Sequence, residues 1–487
     1  MSTEHLDVVV IGAGLSGVAA GYHLQKHCPQ KRYAILEARD RMGGTWDLFR
    51  YPGIRSDSDM ATLGFSFRPW PNPGRLGEGP AIRDYIEETA RAYDIDEKIR
   101  YGKRVERAAW SSEAQRWTIS VRDTATGELG EITASFVFAC TGYYDYDHGY
   151  TPDFPGRDQY RGSFIHPQRW PEDLAYDGKR IVVIGSGATA VTLVPALVDR
   201  AAHVTMLQRS PSYILSRPAN DAATEWLRAH LPEQAAHTAT RWKNVLLFGG
   251  FYAYCKSRPE SAKKLLVGEV KKALDGAVDV EKHFTPSYSP WDQRLCLVPD
   301  GDLFEALRGG RASIVTDRIE RFTERGILLQ SGAELEADIV VSATGLVIKF
   351  LGGIEVVVDG RAVRPVDTMT YKGVMGSDIP NLGLAVGYTN ASWTLKCELS
   401  AAWFCRVMNH MEQRGYTECR PHNDDPRVEP QPLLDFSSGY VQRAMDRIPK
   451  QGSRRPWKLY QSYPLDLLML RHSPIEDGVL RFARRTG

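Results

Sequence analysis

The stretch Val8-Val9-Val10-Ile11-Gly12-Ala13-Gly14-Leu15-Ser16-Gly17 decides the fold of this chain. An apolar, β-branched run enters a G-x-G-x-x-G turn and leaves it as a helix start. Gly12 permits the tight turn, Gly14 lets the backbone approach a pyrophosphate, and Gly17 lets helix and strand pack closely. The helix N-terminus then offers free N–H groups and its positive dipole end to phosphate oxygens. The next strand, Tyr33-Ala34-Ile35-Leu36, runs into Glu37, twenty residues past Gly17. A carboxylate there accepts hydrogen bonds from ribose hydroxyls and repels a 2′-phosphate. The unit reads as a site for FAD or NAD, not NADP.

A second copy of the pattern follows at Ile181-Val182-Val183-Ile184-Gly185-Ser186-Gly187-Ala188-Thr189-Ala190. Gly185, Ser186, Gly187, Ala188 and Thr189 form its turn and helix start, and Ala190 replaces the third glycine, a permitted variant. The strand after it, Val204-Thr205-Met206-Leu207, ends in Gln208-Arg209-Ser210 with no acid. A guanidinium pairs bidentately with phosphate oxygens, so Arg209, with the Ser210 hydroxyl, suits the 2′-phosphate of NADPH. Strand-end arginines also occur for purely structural reasons. Two unequal dinucleotide sites in one chain suit electron transfer: hydride passes from NADPH to FAD, and the protein supplies orientation and electrostatics.

The expected fold class is α/β, with two Rossmann-like dinucleotide-binding domains, for FAD and NADPH, and a helical insertion. Residues 1–148 form the first part of the FAD domain and 152–213 the first part of the NADP domain. The insertion covers 214–287, the second part of the NADP domain 288–350, and the second part of the FAD domain 351–487. Strands are expected at 117–121, 136–142, 312–315, 326–330, 339–345 and 381–386, and a helix from about 394 to 414. The segment 143–156, rich in Tyr, Asp, Pro and Gly, reads as a crossover between domains.

Composition narrows the class. The chain has 487 residues, 43% hydrophobic and 25% charged, with net charge +1, the make-up of a soluble globular enzyme. Such a charge balance favours neither nucleic acid nor an anionic membrane. Glu4 and Asp7 sit where a secretory leader needs positive charge. No apolar run reaches the roughly 18 residues that span a bilayer. The nearest, 245–255, is flanked by Arg241, Lys243 and Lys256 and is expected to be a helix buried in the core. An interfacial helix is its other reading, which leaves peripheral membrane contact open. Seven scattered cysteines without a C-x-x-C pair argue against a disulfide framework, a thiolate metal site and a dithiol-dependent flavoprotein reductase. A reducing cytoplasm is the default compartment.

Between the fingerprints lies Tyr160-Arg161-Gly162-Ser163-Phe164-Ile165-His166-Pro167-Gln168-Arg169-Trp170-Pro171. It resembles the F-x-G-x-x-x-H-x-x-x-W-P signature of type I Baeyer–Villiger flavoprotein monooxygenases. A second family signature, G-x-W-x-x-x-x-Y-P-G-x-x-x-D, matches at Gly44, Trp46, Tyr51, Pro52, Gly53 and Asp57. Three later stretches are similar to the actinobacterial subgroup of ethionamide-activating monooxygenases: Pro290-Trp291-Asp292-Gln293-Arg294, Gly387-Tyr388-Thr389-Asn390-Ala391-Ser392-Trp393 and Pro449-Lys450-Gln451-Gly452-Ser453. The resemblance covers nearly the whole chain, and the motifs are specific as a set.

The resemblance implies a reaction. NADPH reduces FAD, reduced flavin takes O2 to a C4a-peroxyflavin, and that species turns a ketone into an ester or lactone. The same intermediate can oxidise sulfides, so the implied substrate is a small apolar ketone or sulfide. Arg294 matches the family's active-site arginine, Asp57 the carboxylate that orients it, and His166 the linker histidine that couples nicotinamide binding to oxygen chemistry. Gly44, Thr45, Trp46, Thr344 and Gly345 join the cofactor-binding set, and no metal is implied. Asn390 and Trp393 fall on a substrate-side loop. Tyr160 departs from the family's usual Phe. Gln293 stands where many relatives carry a lysine for the 2′-phosphate, so NADPH preference rests on Arg209 and Ser210. An N- or S-oxygenating flavin-containing monooxygenase and a non-catalytic flavin-binding module stay open as alternatives.

Overall fold

The computed structural model describes residues 3–485 apart from Pro73 and Asp435. The opening strand, Glu4–Ile11, is apolar throughout its second half because both of its faces are covered. Val8 and Val10 join one buried cluster, while Val9 and Ile11 join another on the opposite side. A parallel sheet clad on both faces gives a strand that environment. The strand lies between Tyr33–Leu36 and Leu129–Ala139, parallel to both, with Val8 opposite Tyr33 and Phe136. Lys103–Ser111 and Arg116–Asp123 extend the sheet in antiparallel fashion. Glu355–Val358 and Leu382–Leu384, from far along the chain, return to it in parallel.

Arg180–Ile184 repeats the arrangement. Ile181 and Val183 face one cluster, Val182 and Ile184 another. Five parallel strands run in the order Ala312–Thr316, His203–Gln208, Arg180–Ile184, Ile339–Ser342, Ser163–Ile165. Helix Leu15–His27 leaves the first fingerprint and Ala188–Leu197 leaves the second. The α/β class with two dinucleotide-type sheets agrees with the sequence reading.

Four helices interrupt the second sheet: Ala222–His230, Glu233–Ser257, Pro259–Leu274 and Val280–Phe284. They leave and return through a two-stranded parallel ribbon, Ile214–Arg217 against Cys296–Pro299, that the sequence did not reveal. Gly249-Gly250 does not break helix Glu233–Ser257. The expectation of a core helix at 245–255 is corrected. Val245 and Cys255 are buried, but Leu246 and Leu247 are 61% and 63% exposed. The helix is gripped by its N-terminal half. Arg241 pairs with the buried Glu398 at 2.8 Å and donates to the carbonyls of Ala61 and Gly64 at 2.9 and 2.8 Å. Beyond that grip only one side of the helix is packed. Among the described residues no helix is long and apolar enough to cross a membrane.

Candidate active site

The first nucleotide turn is set by close backbone contact. A Cβ on Gly17 would lie 1.9 Å from the Gly12 carbonyl oxygen, so the helix can sit on its turn only with glycine there. The Gly43 amide donates to the Ala13 carbonyl at 3.0 Å. This brings Gly44 against Gly14, where a Cβ on Gly44 would lie 3.1 Å from the Gly14 Cα, and Thr45 and Trp46 follow it into a short helix. Helix Leu15–His27 starts at Gly14 without a side-chain cap, leaving its first N–H groups for a ligand. Glu37 is buried at the end of its strand, and its oxygens accept from the amides of Ala13 at 2.8 Å and Arg39 at 3.0 Å. Burial pushes its carboxyl pKa up. The backbone donors oppose that push and tie the carboxylate to the turn. The site fits a dinucleotide with free ribose hydroxyls.

The second turn is open. Helix Ala188–Leu197 also starts on a glycine without a side-chain cap. A Cβ on Gly187 would meet nothing within 4 Å, which leaves the space a pyrophosphate needs. Ser186 Oγ donates to the Ser210 carbonyl at 3.1 Å and lies 2.8 Å from Ser212 Oγ, drawing the end of the following strand onto the turn. Arg209 is exposed there and makes no hydrogen bond or ion pair with a described residue. Its guanidinium is free to meet a phosphate.

Thr344 and Gly345 sit where the two sheets are linked. Thr344 Oγ1 donates to the Tyr150 carbonyl at 2.7 Å, and the Tyr150 amide donates to the Gly345 carbonyl at 3.1 Å. His166 Nε2 lies 3.1 Å from the same Gly345 oxygen, while its Nδ1 accepts from the Gln168 amide at 3.2 Å. This pattern assigns the proton to Nε2. Burial lowers the ring's pKa, which favours the neutral form. Both nitrogens are engaged with backbone, so His166 holds the linker in place.

Arg294 and Asp57 come together at the junction. Arg294 Nη2 lies 2.9 Å from Asp57 Oδ1 and 2.7 Å from Oδ2. The carboxylate beside it raises the guanidinium pKa further, so the charge is permanent. The segment carrying Arg294 is fixed. Ser289 N donates to Asp292 Oδ2 at 3.2 Å, Lys256 pairs with Asp292 at 3.1 Å, and Ser437 N donates to the Asp292 carbonyl at 2.9 Å. Trp291 is buried with φ +70°, a strained backbone for a bulky residue. Sequence reasoning missed the phenols here. Tyr144 and Tyr440 stand around Arg294, and burial pushes their pKa values up, keeping them neutral.

Arg294 and Asp57 open into a cavity of about 360 Å³ whose walls are mainly apolar, among them Leu215, Phe248, Trp291 and Leu395. Asn390 lines it as well. Its amide donates to the Gln461 carbonyl at 2.9 Å, and Thr389 N donates to Gln461 Oε1 at 3.0 Å. A buried triad beneath this loop adds support: Tyr388 OH and Lys396 Nζ meet Asp466 Oδ2 at 2.7 and 2.9 Å. Trp393 is placed differently. Its indole donates to Ser16 Oγ at 3.1 Å and its ring stacks on Tyr143, so it faces the first fingerprint helix. Among the described residues no cluster of His, Cys, Asp or Glu could hold a metal, and all seven cysteines are free and buried.

Two unequal dinucleotide turns and an arginine-bearing cavity are the parts a flavin-dependent monooxygenase needs, and the comparisons agree. Residues 68–226 match the flavin-binding monooxygenase-like family, and 10–73 match the NAD(P)-binding Rossmann-like domain. The chain is 53% identical over 484 residues to the FAD-containing monooxygenase EthA of Mycobacterium tuberculosis (strain ATCC 25618 / H37Rv), covering 99% of each. It is 51% identical over 483 residues to EthA of Mycolicibacterium smegmatis, covering 99% of this chain and 98% of that one. The chain belongs to the FAD-containing monooxygenases. Its fold is similar to that of an oxidized steroid monooxygenase bound to NADP, with TM-score 0.78 at 22% identity over 99% of this chain and 100% of that one. The reading of FAD and NADPH as the two cofactors agrees with these relatives.

Proposed function

We propose that the chain is a Baeyer–Villiger monooxygenase that uses NADPH and O2 to convert small apolar ketones to esters or lactones, with sulfoxidation as a side activity. The observation that carries this reading is the Arg294–Asp57 pair at the polar end of an apolar cavity. FAD, reduced by NADPH, supplies the activation of O2. Gly12, Gly14, Gly17, Glu37, Gly44, Thr45 and Trp46 would hold FAD. Gly185, Ser186, Gly187, Ala188, Thr189, Arg209 and Ser210 would hold NADPH.

Arg294 offers a fixed positive charge where negative charge gathers on oxygen. Asp57 keeps that charge in one orientation, so no reorganisation is needed when the reaction begins. The apolar walls keep water away and strengthen the same electrostatics. His166, Thr344 and Gly345 fix the linker, and Asn390 borders the substrate space. We assign segments 1–148 and 351–487 to the FAD domain, 152–213 and 288–350 to the NADP domain, and 214–287 to the insertion; sheet membership supports this division. We place the reaction in a reducing cytoplasm, which suits seven free cysteines.

The test is product identification by mass after incubating holoenzyme with NADPH, oxygen and a panel of linear, aryl and cyclic ketones and thioamides. Esters or lactones are expected. Sulfoxides or N-oxides with no ester from any ketone would overturn the reading in favour of an N- or S-oxygenating enzyme.

A further inference from the structure

We propose that the face formed by helices Glu233–Ser257 and Tyr463–His472 docks on an anionic phospholipid surface, from which apolar substrate enters the Arg294 cavity. The proposal rests on the reading of that cavity as the substrate site.

The two helices adjoin through Trp242 and Tyr463, whose ring centroids are 5.6 Å apart. Past this contact each presents leucines to solvent. Leu246 and Leu247 are 61% and 63% exposed on the first helix, and Leu468 is 59% exposed on the second. Leu246 is also a wall of the cavity that holds Arg294, and so are Tyr463 and Pro464. The cavity therefore reaches the surface among exposed leucines. Isolated exposed leucines need no explanation, but apolar side chains gathered at a cavity opening mark an interaction surface.

Charge selects the partner. From Asn244 to Cys255 the first helix carries no charged residue, and Lys243 and Lys256 at its two ends are each paired with a carboxylate, Asp221 and Asp292. Arg258 and Arg471, both exposed, make no ion pair within 4 Å among the described residues. An apolar stretch with unbridged arginines beside it is the pattern of helices lying in a headgroup region, with leucines inward and guanidinium groups on lipid phosphates. A second copy of the chain seated here would cover the opening to Arg294. A lipid surface covers the leucines and leaves an apolar route inward.

The test is flotation of the holoenzyme with vesicles of phosphatidylcholine, with and without phosphatidylglycerol, at low and high salt. The enzyme is expected to float with the anionic vesicles and to bind less at high salt. Leu247 and Leu468 lie outside the cavity wall. Changing both, Leu247→Asn with Leu468→Asn, is expected to lower vesicle binding on the order of tenfold, with FAD content and NADPH-driven flavin reduction unchanged. No flotation with either vesicle, or flotation indifferent to the double substitution, would overturn the proposal. So would a dimer in sedimentation that the same substitutions dissociate, because a second copy would then be the occupant. Vesicle binding by an enzyme that yields no ester leaves the docking face standing and removes the ketone reading instead.

Discussion

Arg294 and Asp57 stand 237 positions apart in the chain, yet Arg294 Nη2 meets both carboxylate oxygens of Asp57, at 2.9 and 2.7 Å. Asp57 follows the first nucleotide unit. Arg294 arrives after the second unit and its helical insertion. The pair therefore forms only when the two nucleotide sheets are assembled, and it ties the charge at the cavity to that assembly.

Removing the carboxylate should free the guanidinium without removing its charge. Asp57→Ala is expected to lower oxygenated product by about 10²-fold, and Arg294→Ala to abolish it. NADPH-driven flavin reduction, followed by stopped-flow absorbance, should stay measurable in both. Equal product yield from Asp57→Ala would show that Arg294 needs no partner to hold it.

The two fingerprints should respond differently to one added methyl. At Gly17 a Cβ would lie 1.9 Å from the Gly12 carbonyl, whereas at Gly187 it would meet nothing within 4 Å. Gly17→Ala is expected to cost about 3 kcal/mol or more of stability, since backbone cannot yield as a side chain can. It should purify with less FAD and a lower Tm. Gly187→Ala should keep its FAD and Tm but raise KM for NADPH, because the methyl occupies the pyrophosphate approach.

Arg209 is exposed and, among the described residues, has no hydrogen-bond or ion-pair partner at the end of the strand that follows the second turn. Its loss should matter only for a coenzyme bearing a 2′-phosphate. Arg209→Ala is expected to raise KM for NADPH by about tenfold to a hundredfold, the worth of a charge-assisted pair, and to leave KM for NADH unchanged. Parallel steady-state runs with the two coenzymes measure this. An unchanged NADPH-to-NADH ratio would move 2′-phosphate recognition elsewhere.

Acid should destabilise the fold through His23. Burial holds its ring pKa down to about 3, from an ordinary value of 6.5. The unfolded ring takes a proton below 6.5 while the folded ring does not until about 3, so stability is lost as pH falls through that window. The slope is about 1.4 kcal/mol per pH unit. His237, held down to about 4, adds a similar slope over a shorter window. Both ring nitrogens of His23 are shielded and have no hydrogen-bond partner among the described residues, so a phenyl ring forfeits nothing polar there. His23→Phe should flatten the fall of Tm between pH 6.5 and 5; a Tm profile parallel to that of the unsubstituted protein would locate the acid sensitivity elsewhere.

Much of the site was legible because its signals are local. Turn, helix start and strand-end residue lie within one βαβ unit, so spacing alone could single out Glu37 and Arg209 as candidates. The apolar run at 245–255 misled for the opposite reason. Its composition suits a core or an interface equally, and the grip of Arg241 on Glu398 leaves Leu246 and Leu247 outside. Asn390 and Trp393 are close in sequence, yet only Asn390 lines the Arg294 cavity, because a helix begins at Trp393 and turns its indole toward Ser16. Tyr144 and Tyr440 gave no motif at all; a crossover and a distant segment bring them to one arginine.

The sequence by itself determined that two dinucleotide sites exist and that they differ, since φ-permissive glycines, helix N-termini and a single strand-end side chain set both properties over short range. Only the tertiary structure decided that Asp57 holds Arg294, that His166 engages backbone through both nitrogens, and that the cavity opens among exposed leucines. Those outcomes depend on which distant segments pack together and which faces remain uncovered, and no local pattern of residues encodes that.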